Sequence, residues 1–191
     1  MQGKIETWFP TSIYIVDLKQ YNFNEMVDEI KKISFNSKRS EFLSRDSYND
    51  DVKHLENPLH KNIKFENLFN DILKHCRTFL KAMGYENVNQ AKIDNSWFNI
   101  YNKGDFVHKH IHGGSVLSGA YYLKTSENDF ITFYAKDDAT LAANNPNELT
   151  IDSCNYKCEQ GRLLLFKSST AHSTNKQEGD EKIVLSFNIG F

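Results

Sequence analysis

Apolar residues follow two different periods along this chain, and the change falls near Gly84. Before it, the β-branched and aromatic run TSIYIVDL (11–18) predicts a first strand. NFNEMVDEIKKIS (22–34) follows, with Phe23, Met26, Val27, Ile30 and Ile33 at helical spacing and Asn22 or Asn24 placed to cap the helix. Residues 36–62 are polar and broken and read as loop. The clearest helix runs from 65 to 83, where apolar side chains from Phe65 to Met83 recur every three or four positions until Gly84 ends it. His75 falls off that stripe and reads as a surface residue.

Beyond Gly84 the period is two. Six strand-like runs follow: AKIDNSWFNIYN, SVLSGAYYLK, DFITFYAK, NELTIDS, GRLLLFKS and EKIVLSFNIGF. A strand and helices followed by an all-β remainder predict a mainly β, α+β fold, a sandwich or jelly roll backed by N-terminal helices. The polar gap at 136–147 reads as an extended loop, of the kind that often serves as a lid or substrate contact.

At 191 residues the chain is expected to form one domain, 1–191, with a supporting part (1–90) and a jelly-roll core (91–191). A formal net charge of −2 with interspersed signs makes no electrostatic case for nucleic acid or an anionic membrane as partner. Cys76, Cys154 and Cys158 are odd in number and lack a CxxC pair, which fits reduced thiols. No apolar stretch approaches a membrane span, and the N-terminus lacks the pattern of a signal peptide. A soluble, cytoplasmic protein is expected.

Chemistry concentrates in FVHKHIHGGSVLSGAYYL (106–123), where three of the seven histidines alternate: His108, His110 and His112. In an extended chain they project to one side, neighbours roughly 6.6 Å apart and the outer two roughly 13 Å apart. Bonds of about 2 Å allow neighbours, not the outer two, to share an ion. His110 belongs to either workable pair, and His172, after the buried run Leu163–Phe166, supplies a late third ligand.

Residues 95–123, NSWFNIYNKGDFVHKHIHGGSVLSGAYYL, resemble the double-stranded β-helix (jelly roll) of the 2-oxoglutarate/Fe(II)-dependent oxygenases. The likeness is to a bacterial and phage group with an H-x-H-P motif and an SG-x-YYL strand, and more distantly to prolyl hydroxylases. GRLLLFKSSTAHS is similar to its G-x-L-x-x-F-P-S…H segment, EKIVLSFNI to its R-I-S-I-S-F-N ending, and WFPTSIYIVDL to its opening. The resemblance implies Fe(II) and 2-oxoglutarate as cofactors, O2 as oxidant, and hydroxylation of a C–H bond in a protein side chain, an amino acid or a small metabolite. It implies His110, His112 and His172 as metal ligands, while strand spacing keeps a His108/His110 pair as the alternative. It places Lys182, ten residues after His172, on the distal carboxylate of 2-oxoglutarate, with Ser186 assisting. Tyr122 and Tyr101 match tyrosines of the cosubstrate pocket, and Asn99 faces with Trp97 and Tyr101 at period two; by residue type alone Tyr122 reads equally as core.

The chain departs from the pattern in several places. Gly113 and Lys167 replace prolines, Lys182 replaces an arginine, and His112 stands where a carboxylate is usual. Asp105 carries a carboxylate, but its odd spacing from His110 puts it on the opposite strand face. Three neutral imidazoles leave the ion at its full charge, so its balance leans on the bound dianion. Two other readings compete. A cupin fits Gly104, His110 and His112, but its glutamate is due where Val116 and Leu117 stand. A non-catalytic jelly-roll binding module leaves the spacing of Lys182 and Ser186 unexplained.

Overall fold

The computed structural model describes residues 4, 10–33, 45–46, 58–136, 144–147 and 149–191. Its described part is mainly β, with two α-helices and antiparallel sheets. The elements are β1 (Ile13–Asp17), α1 (Phe23–Lys32), β2 (Arg45–Asp46), α2 (Glu66–Ala82), β3 (Lys92–Asn102), β4 (Leu117–Lys124), β5 (Phe130–Tyr134), β6 (Ser153–Lys157), β7 (Arg162–Lys167), β8 (His172–Thr174) and β9 (Glu181–Gly190). One sheet has the order β1-β7-β4-β9-β3-β2 and the other β6-β5-β8.

The helices form where the apolar stripes put them. Asn22 caps α1 by accepting a hydrogen bond from the Glu25 N–H. α1 buries Met26 and Ile30, and α2 buries Leu68, Phe69, Ile72, Cys76, Phe79 and Leu80 in the same core. Gly84 closes α2 at φ +85°, a conformation that costs glycine least. No helix among the described residues is long and apolar enough to cross a membrane. His75 is half-buried, its Nδ1 2.9 Å from the Tyr14 hydroxyl of β1, so it helps tie α2 to the first strand.

Period two divides the larger sheet into two faces. Leu117, Tyr121, Leu163, Leu165, Leu185 and Phe187 pack towards the helices. Their neighbours Ala120, Tyr122, Leu164, Phe166 and Val184 instead meet Ile131 and Phe133 of β5 from the smaller sheet. The Gly119 of β4 is a close-approach position: a Cβ there would lie 2.2 Å from Phe187 Cζ and 2.8 Å from Leu165 Cδ2.

Several expected boundaries move. NELTIDS is not a strand over its described residues before Ser153: Asn147 Oδ1 accepts from the Leu149 N–H and Thr150 Oγ1 accepts from the Asn147 N–H, turning the chain. The turn leaves Leu149 and Ile151 exposed, and the strand is SCNYK instead. β8 is a further short strand at His172. Of 36–62, Arg45–Asp46 pair with β3 and Leu59–Lys61 form a 3₁₀ turn; 36–44 and 47–57 lie outside the described residues. Most of the 136–147 loop, residues 137–143, lies outside them too.

Candidate metal centre

Residues 105–116 leave the ladder pattern, and this break brings the imidazoles together. His110 makes an isolated antiparallel bridge with His172: each N–H donates to the other's carbonyl at 3.0 Å. Two residues on, the His112 N–H donates to the carbonyl of Ser168, just beyond β7, at 2.9 Å. The segment thus hydrogen-bonds to the smaller sheet at 110 and to the end of a larger-sheet strand at 112. Its rings converge rather than standing in a row.

One ligand atom from each of His110, His112 and His172 lies within 4.8 Å of the others. The Nε2 atoms of His110 and His112 are 3.2 Å apart. Each Nδ1 faces an oxygen: that of the His108 carbonyl at 2.8 Å, the Asn188 side chain at 2.8 Å and the Thr170 carbonyl at 3.0 Å. Carbonyl oxygens accept hydrogen bonds, so this arrangement places the protons on Nδ1 and leaves the Nε2 lone pairs. Lone pairs facing one another at this distance repel unless a cation or a proton sits among them. The donor set therefore fits a first-row metal ion, with open positions for further ligands.

Burial favours the neutral form of His172 and of His112. His172 packs against Phe166 and Phe133, and burial, reinforced by the charge His110 can carry, lowers its pKa to about 3. Burial also lowers His112, against the opposing effect of its Asn188 hydrogen bond. His108 is outside the group: it is exposed, its ring edge-on to Phe106. Asp105 is outside it as well, its carboxylate accepting from the Asn102 N–H at 2.7 Å.

The triad opens into a cavity of about 550 Å³, also lined by Tyr101, Tyr122, Asn99, Lys182, Ser186 and Asn188. Lys182 is fully buried, with its Nζ 4.5 Å from the centre of the Tyr101 ring. That Nζ makes no hydrogen bond, and burial lowers its pKa, against the attractions of Cys158 and Asp129. The nearest carboxylate oxygen, Asp129 Oδ1, is 3.9 Å away, equally buried and equally without a hydrogen bond. A buried ammonium with empty donor positions is costly, and a carboxylate entering the cavity can satisfy them. Ser186 donates to Asn99 Oδ1 at 3.2 Å, and burial pushes the Cys158 thiol, in the same apolar cluster as Tyr122, up to about 11.

Sequence reasoning missed Asn188, Ser118, Ser168 and Asp129. Asn188 was accessible in principle, since it lies two residues beyond Ser186 on the same strand face. Asp129 had no local signal, because its neighbour is 53 positions away in sequence.

Residues 95–188 match the family model described as "Putative 2OG-Fe(II) oxygenase". No curated protein sequence matches the chain. Among solved structures, a viral collagen prolyl hydroxylase from Paramecium Bursaria Chlorella virus-1, in its 2OG complex, is similar at 15% identity and TM-score 0.60, covering 93% of this chain and 94% of that one. A Pseudomonas putida prolyl-4-hydroxylase is similar at 8% identity and TM-score 0.63, covering 95% and 94%. An oxidoreductase of the 2OG-Fe(II) oxygenase family from Burkholderia pseudomallei aligns over 69% of this chain at 11% identity and TM-score 0.48, and the chain spans 54% of its length. The likeness to the two hydroxylases is one of fold. Over residues 95–188, the chain is similar to the 2OG-Fe(II) oxygenase family.

Proposed function

We propose that the protein is an Fe(II)- and 2-oxoglutarate-dependent hydroxylase whose single domain is a double-stranded β-helix. His110, His112 and His172 hold the metal, and Lys182 takes the distal carboxylate of 2-oxoglutarate. The observation that carries this reading is one cavity holding both three convergent imidazoles and a buried ammonium with unused donors. Neither a cupin without 2-oxoglutarate nor a non-catalytic module accounts for that ammonium.

Bound there, Fe(II) with 2-oxoglutarate and O2 supplies an oxidant for C–H hydroxylation, the cosubstrate leaving as succinate and CO2. The chain's own residues bind and orient. The Nδ1 hydrogen bonds present three fixed lone pairs, so little reorganisation is needed on metal entry. Lys182 and the Tyr101 ring anchor one end of the cosubstrate, which directs its other end towards the histidines. Ser186 and Asn99 hold each other on the wall between. Phe133 and Phe166 shield the back of His172 from water. Trp97, Val107 and Ile111 line the cavity as well, giving its walls an apolar part for a side chain or small metabolite.

Anaerobic titration with Fe(II) and 2-oxoglutarate, followed by succinate measurement in air, tests the proposal. Saturable binding of both and oxygen-dependent succinate are expected. Absence of binding and turnover overturns it.

A further inference from the structure

The three imidazoles are not held in the same way. His110 and His172 each donate from Nδ1 to a main-chain carbonyl two residues upstream, that of His108 or Thr170. Those acceptors are part of the backbone and survive any side-chain substitution. His112 instead meets a side chain 76 positions away, the amide of Asn188 on β9. An amide has an accepting end and a donating end. With its oxygen towards the ring, the proton sits on Nδ1 and Nε2 is free for metal. With its nitrogen there, the proton moves to Nε2 and that arm is lost.

A buried pair of hydroxyls bears on this choice. Ser118 Oγ of β4 donates to the same Asn188 oxygen at 2.7 Å, and Ser168 Oγ lies 2.9 Å behind it. Ser118 and Ser168 are 0% and 1% exposed, so water does not substitute for either. Asn188 and Ser118 are direct partners on neighbouring strands of the larger sheet, a rigid place from which to aim a side chain. The Ser168 carbonyl also receives the His112 N–H, so the end of this polar chain grips the backbone of the residue whose ring it orients.

We propose that Asn188 is the positioning residue of the metal centre, selecting the Nε2-ligating form of His112, and that the Ser168–Ser118 pair sets the direction of its amide. The inference rests on the reading of His112 as a ligand. It makes His112 the adjustable arm of the triad, and Asn188 the place where charge can be returned to an all-histidine site. A carboxylate at 188 accepts from Nδ1–H more strongly and makes the imidazole a better donor to metal.

Anaerobic Co(II) titration of the purified protein, followed by its visible absorption, tests this without turnover. Asn188→Ala is expected to weaken Co(II) binding about 10–100-fold. Asn188→Asp, nearly isosteric, is expected to tighten it several-fold and to shift the absorption bands. Ser118→Ala, which frees the amide to turn, is expected to weaken it by less than Asn188→Ala. Weakening by Asn188→Asp as large as that by Asn188→Ala, or affinities all within twofold of the unsubstituted protein, overturns the inference. His112→Ala separates the two levels. If it binds Co(II) as well as the unsubstituted protein, the ligand reading fails. If it loses affinity while the Asn188 variants do not, only the positioning role falls.

Discussion

At the scale of single residues, burial decides what the site's titratable groups can do. His172 is 6% exposed, and its pKa falls to about 3 from an ordinary 6.5. In the metal-free protein the unfolded chain therefore binds a proton between those values and the folded one does not. This contribution is whole above pH 6.5 and is lost as the pH falls towards 3, by at most about 1.4 kcal/mol per pH unit. Urea unfolding of chelator-treated protein is expected to show that decline, and His172→Asn to flatten it. An unchanged slope in the variant counts against a neutral buried His172. Lys182 poses the converse problem, because it and Asp129 are both fully buried and neither completes a hydrogen bond to the other. Lys182→Met alone leaves Asp129 facing an apolar side chain and is expected to destabilise the fold by about 3–5 kcal/mol. Adding Asp129→Asn removes both charges. The double variant is expected to match or exceed the parent in stability, by up to about 4 kcal/mol, yet to lose 2-oxoglutarate binding while keeping Co(II). Retained 2-oxoglutarate affinity in calorimetry contradicts the role of Lys182.

At the scale of elements, β4 and β9 show how much of the site period two makes legible. In β9 Ile183, Leu185, Phe187 and Ile189 join the core beneath the helices, while Lys182, Val184, Ser186 and Asn188 line the cavity. Alternation was readable in EKIVLSFNI, so a shared face for Lys182 and Ser186 could be expected from it. That His110 and His172 share one site was expected from the late histidine and the family resemblance, but the geometry that joins them was not, because it depends on a strand bridge between residues 62 positions apart and on the irregular course of 105–116. The strand at Ser153–Lys157 escaped for a local reason: the side chain of Asn147 commits NELTIDS to a turn before any ladder can form. The SGAYYL strand is the counterexample, since four of its residues have separable tasks. Ser118 reaches Asn188, Tyr121 donates to the Leu18 carbonyl at 2.7 Å, and Tyr122 faces the cavity. Gly119 leaves room for the Phe187 ring, and Gly119→Ala forces that ring or Leu165 aside. A loss of about 1–3 kcal/mol by thermal or urea unfolding is expected. A smaller loss requires that β4 can move away from β9, which its ladder from Leu117 to Lys124 resists.

At the scale of the whole molecule, the two groups proposed to meet ligands lie on different sheets. His172 belongs to the smaller sheet through β8, and Lys182 to the larger through β9. If the histidines hold the metal and Lys182 holds the distal carboxylate, a bound 2-oxoglutarate molecule would span both sheets. Metal and cosubstrate then stabilise each other. If the three imidazoles are the ligands, they would leave the charge of the ion uncompensated, and the dianion would neutralise it. Linkage requires the gain to be reciprocal: if Co(II) raises the affinity for 2-oxoglutarate by some factor, 2-oxoglutarate raises that for Co(II) by the same factor. Each ligand at a hundred times its dissociation constant adds about 2.7 kcal/mol to the stability, or a rise in unfolding temperature of roughly 5–10 °C for a chain of this size. Anaerobic thermal scans with Co(II) alone, with 2-oxoglutarate alone and with both are expected to show a joint shift larger than the sum of the separate ones. In the Lys182→Met/Asp129→Asn variant the excess is expected to vanish while the shift from Co(II) alone persists. Strictly additive shifts in the unsubstituted protein mean that the two ligands do not meet in the cavity, and that Lys182 serves a different anion from the one bound at the metal.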